Sequence, residues 1–225
     1  MRDVLPDENV TITKASTKEA LSDIFSNSFS AKTTIFGWVS CAVQAFENYA
    51  FAFYLPLILA TMGIAGMVEN NLALLGVNLI AAASAFVGPL LLNKLGHRGL
   101  SQWGFIMVTI GVLIAAYGVH IENMLMIISG AGLVLWGHYW DSESGMTVVS
   151  LVAKPRYRGI ASGIGYTIVK IAAFSTSLLF PPLFEALGVS VAACIVAIGP
   201  FIAFLCATFL LPEVFGHHVG DGKND

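Results

Sequence analysis

The chain has 225 residues, of which 56% are hydrophobic and 11% charged, whereas roughly 25% of the residues in an average soluble domain are charged. Its mean hydropathy is +0.79. The 11 basic and 14 acidic residues leave a net charge of −3, which excludes the basic surface typical of nucleic-acid-binding proteins. The composition therefore predicts an integral membrane protein whose main surrounding is the lipid bilayer.

The first 32 residues are rich in charge and have no long apolar run, so we expect a cytosolic segment rather than a secretory signal. Residues 16–19 resemble a capping box, with Ser16 as the N-cap and Glu19 three residues later. This predicts a short amphipathic helix whose apolar face includes Ile24. Such a helix could lie in the membrane interface or be an ordinary solvated linker helix.

Six stretches reach or approach the roughly 20 apolar residues that a membrane-spanning helix needs. They are residues 33–60, 72–92, 103–120, 124–152, 160–183 and 189–211. Helix-breaking residues lie in the short connections, namely Gly96, Gly99, Pro155 and Gly188. The sequence thus predicts an all-α membrane protein, with six transmembrane helices over residues 33–213 and a cytosolic tail over residues 214–225.

Basic residues lie on one side of the predicted bundle, which indicates its orientation. The connections and termini on that side contain Arg2, Lys14, Lys18, Lys32, Lys94, Arg98, Lys154, Arg156, Arg158 and Lys223. The opposite loops, residues 65–71, 121–123 and 184–188, contain no Lys or Arg. Both termini are therefore expected to be cytoplasmic, in a multi-pass protein of the cell membrane.

Four ionisable side chains fall within the predicted spans, where a charge costs several kcal/mol and marks a functional candidate. They are Glu47 in the first span, Asp141 and Glu143 in the fourth, and Lys170 in the fifth. At about 1.5 Å of rise per residue, Glu47, Asp141 and Lys170 come out near the middle of the membrane.

Helical periodicity indicates which side chains share a face. In the first span the residues Ser40, Gln44, Glu47, Phe51 and Tyr54 follow a spacing of four and three, which places them in one stripe. In the fourth span His138, Asp141 and Gly145 form one line, whereas Glu143 points away from it. In the fifth, Tyr166, Lys170 and Phe174 share a side.

Two interpretations of these polar residues remain open. Lys170 could bind or balance the charge of a solute, or could form a structural ion pair with Asp141 or Glu143. His138 could carry a proton or be an ordinary packed helix residue. No nucleophile constellation or metal-ligand spacing accompanies them, so the sequence predicts neither an enzyme nor a cofactor or metal site.

Three loop sequences carry a resemblance to a known family. Between the second and third spans comes Asn93-Lys94-Leu95-Gly96-His97-Arg98, and between the fourth and fifth comes Pro155-Arg156-Tyr157-Arg158-Gly159-Ile160-Ala161-Ser162-Gly163. After the sixth comes Leu211-Pro212-Glu213-Val214-Phe215-Gly216. These loops resemble those of major facilitator superfamily (MFS) transporters, in particular the sugar-porter and phosphate-permease branches. They differ from the family pattern at Asn93, His97 and Leu151, and in lacking a Thr after Glu213.

The resemblance implies the carboxy-terminal half of an MFS fold, with six helices arranged as an inverted 3+3 repeat. In such a half the first and fourth spans would line the cavity, and the second and fifth would face the other half. Glu47 or Asp141 would then be the proton-coupling carboxylate, and Lys170 would bind solute. Further solute-contacting residues would be Gln44, Asn48, Tyr54, His138 and Tyr166. The gating loops would use Asn93, Lys94, Gly96, Arg98, Arg156 and Arg158.

The predicted function is secondary transport of a small hydrophilic solute, either a sugar or an organic or inorganic anion, by proton-coupled alternating access. A second six-helix half or a second copy of the chain would complete the cavity. The alternative is a non-transporting remnant or regulatory membrane subunit, in which the intramembrane charges form structural pairs.

Overall fold

A computed structural model describes residues 16–51, 55–56 and 66–214, and within these residues the chain is helical with no strand. The helices are α1 (Thr17–Ser26), α2 (Ser28–Phe51), α3 (Met67–His120), α4 (Met124–Val152), α5 (Arg158–Leu187), α6 (Val189–Val196) and α7 (Ile198–Phe209). This all-α architecture confirms the predicted class.

Helix α3 reverses direction at Gly96, where the backbone adopts φ 67° and ψ 176°. Before this residue, Ile80 lies against Gly132 of α4 and the Ser84 hydroxyl donates to the Trp136 carbonyl at 2.6 Å. Contacts in this first half therefore advance in the same direction along both helices.

Contacts after Gly96 run the opposite way along α4. Gly104 lies against Gly137, and Gly111, further along α3, lies against Gly130. The second half of α3 is therefore antiparallel to α4, so the two halves of α3 form a helical hairpin. Glycines at the crossing allow the backbones to approach closely, as is usual between membrane helices.

The other helices also run parallel or antiparallel to one another along the bundle. Helix α2 is antiparallel to α4, because Ser40 lies against Gly145 and Glu47 against His138. Helix α5 is parallel to α2, since Trp38 Nε1 donates to the Ala161 carbonyl and Cys41 lies against Gly165.

Helices α6 and α7 run antiparallel to the second half of α3. The Arg98 guanidinium donates to the Thr208 carbonyl in α7, and the Ser190 hydroxyl in α6 donates to the Ala116 carbonyl. One end of the bundle therefore carries α1, the turn at Gly96, residues 153–157 and the segment after α7. We call it the loop end.

Three of the described helices are long and apolar enough to cross a membrane. They are Asn71–His120, Arg158–Leu187 and Val189–Phe209. The first of these contains the hairpin at Gly96, and the last comprises α6 and α7. Helix α4 is not among them, because His138, Asp141 and their polar neighbours lower its hydropathy. Helices suited in length and composition to span a membrane are thus present, whereas the six-span 3+3 repeat stays a prediction.

Several predicted boundaries differ from the observed ones. The fourth span coincides with α4, but α2 begins at Ser28 rather than residue 33. The break predicted at Gly99 is wrong, because Gly99 lies within helix and the chain turns at Gly96 alone. Gly188 does end α5, at φ 77°.

The amphipathic helix predicted near the N-terminus is present as α1. It begins directly after Ser16, but the side chain of Ser16 makes no capping hydrogen bond, so the predicted capping box is not formed. Ala20 and Ile24 are buried, and Ile24 joins the apolar cluster around Phe36 and Phe105. Helix α1 therefore packs on the bundle and is not a freely solvated linker.

Candidate functional site

The polar stripe of α2 faces the polar line of α4 across one helix–helix contact. Gln44 Nε2 donates to Ser40 Oγ at 2.8 Å and to the Asp141 backbone carbonyl at 3.0 Å. Glu47 lies one turn further along α2, beside His138. Because α2 and α4 are antiparallel, the successive polar positions of the two helices pair in order.

Three side chains converge at the end of this stripe. Glu47 Oε2 lies 3.4 Å from His138 Nδ1, and one ligand atom each of Glu47, His138 and Asp141 falls within 4.8 Å of the other two. Glu47 and Asp141 are both 0% exposed, and the His138 side chain is 13% exposed. We refer to Glu47, His138 and Asp141 as the buried triad.

The carboxyl groups of the triad have few polar partners. Glu47 Oε1 and both side-chain oxygens of Asp141 are buried without a hydrogen bond to any described residue. The contact of Glu47 with His138 is longer than the 2.7–3.2 Å of a good hydrogen bond. Two carboxylates and an imidazole at this spacing could hold one cation. A proton is the smallest cation that would relieve the repulsion between the two carboxylates.

Lys170 lies apart from the triad. Its side chain is exposed, between Tyr166, which is 60% exposed, and Phe174, which is 70% exposed. Among the described side chains, which do not include that of Glu143, Lys170 forms no ion pair. The alternative in which Lys170 pairs with Asp141 is therefore wrong, because the Lys170 face of α5 points out of the bundle.

The remaining solute-contacting candidates are dispersed. Asn48 is exposed on α2, and the amide nitrogen of Gln44 already bonds within the α2–α4 contact. Tyr54 lies outside the described residues. The structure thus brings together Gln44, Glu47, His138 and Asp141, and it places Tyr166 and Lys170 on a separate, exposed face.

The first gating-loop candidate forms the α3 turn. Asn93 and Lys94 are exposed. Glu213 accepts hydrogen bonds from the backbone N–H groups of His97 at 3.0 Å and Arg98 at 3.3 Å. The positive φ of this turn favours glycine, and a Cβ atom at Gly96 would push the Glu213 carboxylate away from its present position.

The second gating-loop candidate contacts α1. Arg156 lies 3.5 Å from Glu19, and Lys154 lies 2.5 Å from Asp23. Arg158 Nε donates to the Ala153 carbonyl at 3.1 Å. The basic residues of this loop are therefore held by α1 and by the end of α4.

Comparison with known proteins identifies the family. The model of the family described as "Sugar (and other) transporter" matches residues 5–219, which is almost the whole chain. The chain belongs to this sugar transporter family of the MFS. No curated protein gives a significant match.

Within this MFS transporter, sequence reasoning missed three functional candidates at the loop end, namely Glu213, Asp23 and Glu19. Glu213 was part of the recognised ending, but its contact with the Gly96 turn joins positions more than 100 residues apart and leaves no periodic signal. Asp23 and Glu19 pair with the loop before α5, and their only sequence signal was opposite charge on the same predicted side of the membrane.

Proposed function

We propose that the chain forms a six-span, carboxy-terminal-type half of an MFS secondary transporter. It moves a small hydrophilic solute, either a sugar or an organic or inorganic anion, by alternating access coupled to protons. The family match supports solute transport. The observation that carries the coupling proposal is the complete burial of Glu47 and Asp141, close together and beside His138, between α2 and α4.

Proton coupling follows from the cost of this arrangement. Two anionic carboxylates at this spacing repel each other and lack water, so the pair favours a state in which at least one carboxyl carries a proton. Access of the triad to water on one side of the membrane lowers the cost of ionisation. Alternation of that access would load and release a proton, with Glu47 or Asp141 as the carrier.

Solute binding in this proposal uses a cavity in front of the exposed face of α5. Lys170 is about 18 Å along α5 from its first residue, which is mid-membrane depth. Its ammonium would bind or balance an anionic solute group, and Tyr166 would donate a hydrogen bond. Asn48, Tyr54 and His138 complete the proposed set, with Gln44 acting mainly by holding Asp141.

The exposed Lys170 also argues for a second bundle. A lysine at the centre of a bilayer costs about 2.5–3.5 kcal/mol even by the most lenient measure. We propose that another six-helix half, or a second copy of the chain, covers this face and leaves an aqueous cavity between the bundles. The basic loops and both termini would then lie in the cytoplasm.

Uptake into liposomes tests the transport proposal. The purified chain is reconstituted and assayed with radiolabelled glucose and, separately, phosphate, with and without an inward proton gradient. We expect gradient-driven accumulation of one probe class, loss of accumulation in Glu47→Gln and Asp141→Asn, and weaker uptake of the anion in Lys170→Gln. Glu185→Gln, which makes the same change at an exposed carboxyl group of α5, is the matched control and should leave uptake intact.

The oligomeric state separates the two versions of the second bundle. Uptake by a purified dimer of this chain would support a second copy and reject the need for another polypeptide. Uptake that appears only when a second six-span polypeptide is supplied would support the split-half version. Accumulation that is unchanged in Glu47→Gln and Asp141→Asn would reject the proposed coupling residues.

A further inference from the structure

A pocket separate from the triad opens at the loop end of the bundle. It measures about 340 Å³ and lies where the start of α2, the Gly96 turn of α3 and the end of α7 meet. Lys32 and Arg98 line it from two sides, and Ser28 and Thr208 add hydroxyl groups. Of the residues that line this pocket, only Arg98 has a role in the predicted transporter, as a gating-loop candidate.

The charges in the pocket favour an anion. Arg98 is held in place, because its guanidinium donates to the Thr208 carbonyl at 2.7 Å. A guanidinium has five N–H donors, so this bond orients Arg98 and leaves donors for a ligand. Glu213 is the acidic residue closest in sequence to the residues that line the pocket. Its carboxylate accepts hydrogen bonds from the backbone N–H groups of His97 and Arg98.

The remaining lining is apolar and lies at the end of a membrane helix. Phe29, Phe209 and Leu210 contribute to the pocket, and Phe209 is 77% exposed. Helix α7 ends at Phe209, and the helix pair that it closes is apolar enough to span a bilayer. A pocket with two cations beside an exposed aromatic ring is therefore placed at the boundary between headgroups and acyl chains.

We propose that this pocket binds the headgroup of an anionic phospholipid, with the phosphate between Lys32 and Arg98. Basic pockets between membrane helices on the cytoplasmic side are suited to such headgroups. A lipid satisfies both parts of the lining, because its phosphate meets the two cations while its acyl chains remain in the membrane beside Phe209. A small soluble phosphate ester would meet the cations but would leave the apolar part without a partner.

Native mass spectrometry of the purified full chain tests this. The chain in dodecyl maltoside is titrated with palmitoyl-oleoyl-phosphatidylglycerol and separately with palmitoyl-oleoyl-phosphatidylcholine, and the bound lipid is counted. We expect tighter binding of the glycerol lipid, weakened about fivefold in Lys32→Gln by the loss of one basic charge. Lys32→Arg, which keeps the charge, should retain the preference.

Lys94→Gln is the matched control, because it removes the same charge at the same end of the bundle from a side chain that does not line the pocket. It should leave binding unchanged, and far-UV circular dichroism should show all three variants folded. Equal binding of the two lipids, or an equal loss in Lys94→Gln and Lys32→Gln, would overturn the proposal. Displacement of the lipid by equimolar glycerol phosphate would identify a soluble phosphate-ester site and would also overturn it.

Discussion

Gly104 lies where the second half of α3 crosses α4 at Asp141, and its replacement by alanine tests whether this crossing positions the triad. A Cβ atom at Gly104 would lie 2.6 Å from the Asp141 backbone nitrogen and 2.8 Å from the Gly137 carbonyl oxygen. The first distance is about 0.8 Å short of the 3.4 Å at which ordinary contact begins. Both neighbours are backbone atoms, so the helices must separate to admit the methyl group.

The expected free-energy change follows from two opposing effects. Overpacking of a tight contact costs about 1–3 kcal/mol, whereas alanine in place of glycine stabilises a helix by up to about 1 kcal/mol. We therefore expect Gly104→Ala to lower the free energy of unfolding by up to about 3 kcal/mol, and to be about 1–3 kcal/mol less stable than a glycine-to-alanine variant at an open helix position, where only the gain applies. Gly76→Ala, in the same helix, has no heavy atom within 4 Å of its added Cβ and should be neutral or stabilising by up to about 1 kcal/mol.

In the assay, the chain in dodecyl maltoside micelles is unfolded by added sodium dodecyl sulfate, and the loss of helix is followed by far-UV circular dichroism. In parallel, Gly104→Ala should reduce proton-driven uptake, because the separation occurs at Asp141, whereas Gly76→Ala should not. A Gly104→Ala variant as stable as Gly76→Ala would refute the close crossing of α3 and α4.

Three further predictions concern the same unfolding measurement. Gly96→Ala should destabilise the chain by about 1–2 kcal/mol or more, because alanine is strained at positive φ and its methyl group meets Glu213. A neutral effect would contradict the described turn. Ser84→Ala removes a buried hydroxyl that donates to a backbone carbonyl of α4. It should lower the free energy of unfolding by about 0.6 kcal/mol, the average for such hydrogen bonds in membrane proteins. No measurable loss would argue that this hydrogen bond does not form. A double-mutant cycle of Asp23→Asn with Lys154→Gln should give a coupling free energy of at most about 1 kcal/mol, because the ion pair is partly exposed. A coupling of several kcal/mol would indicate a buried pair instead.

Sequence periodicity predicted the meeting of α2 and α4 well. The four- and three-residue spacing of Ser40, Gln44 and Glu47 placed them on one face, and the structure buries all three against α4. The line from His138 through Asp141 is the face that they meet. Helical phase is a local property of the sequence, and polar residues inside an apolar helix indicate which of its faces packs against protein.

The orientation of α5 could not be obtained in the same way. Periodicity groups Tyr166, Lys170 and Phe174 on one side, but it does not say whether that side meets α4 or points away from the bundle. The pairing of Lys170 with Asp141 was open for this reason. The rotation of α5 is instead set by close contacts of its small residues, such as Gly165 against Cys41, which carry no charge signal.

Turn chemistry was predicted in part. Four helix breakers were recognised, yet Gly99 continues the helix while Gly96 reverses it. The difference comes from a partner distant in sequence, since Glu213 binds the N–H groups that the turn at Gly96 exposes. Glycine permits a reversal, but the distant carboxylate stabilises it at one position, and single-sequence reasoning has no access to that partner.

The most direct test of the proposed coupling is proton movement itself. Liposomes that contain the reconstituted chain and an entrapped fluorescent pH indicator are mixed with glucose or with phosphate. The proposal predicts that the transported probe acidifies the lumen, and that Glu47→Gln abolishes this acidification while Glu185→Gln, the same change at an exposed carboxyl group, leaves it intact. Uptake of a probe without acidification, or acidification that persists in Glu47→Gln, would contradict the central role given to the buried triad.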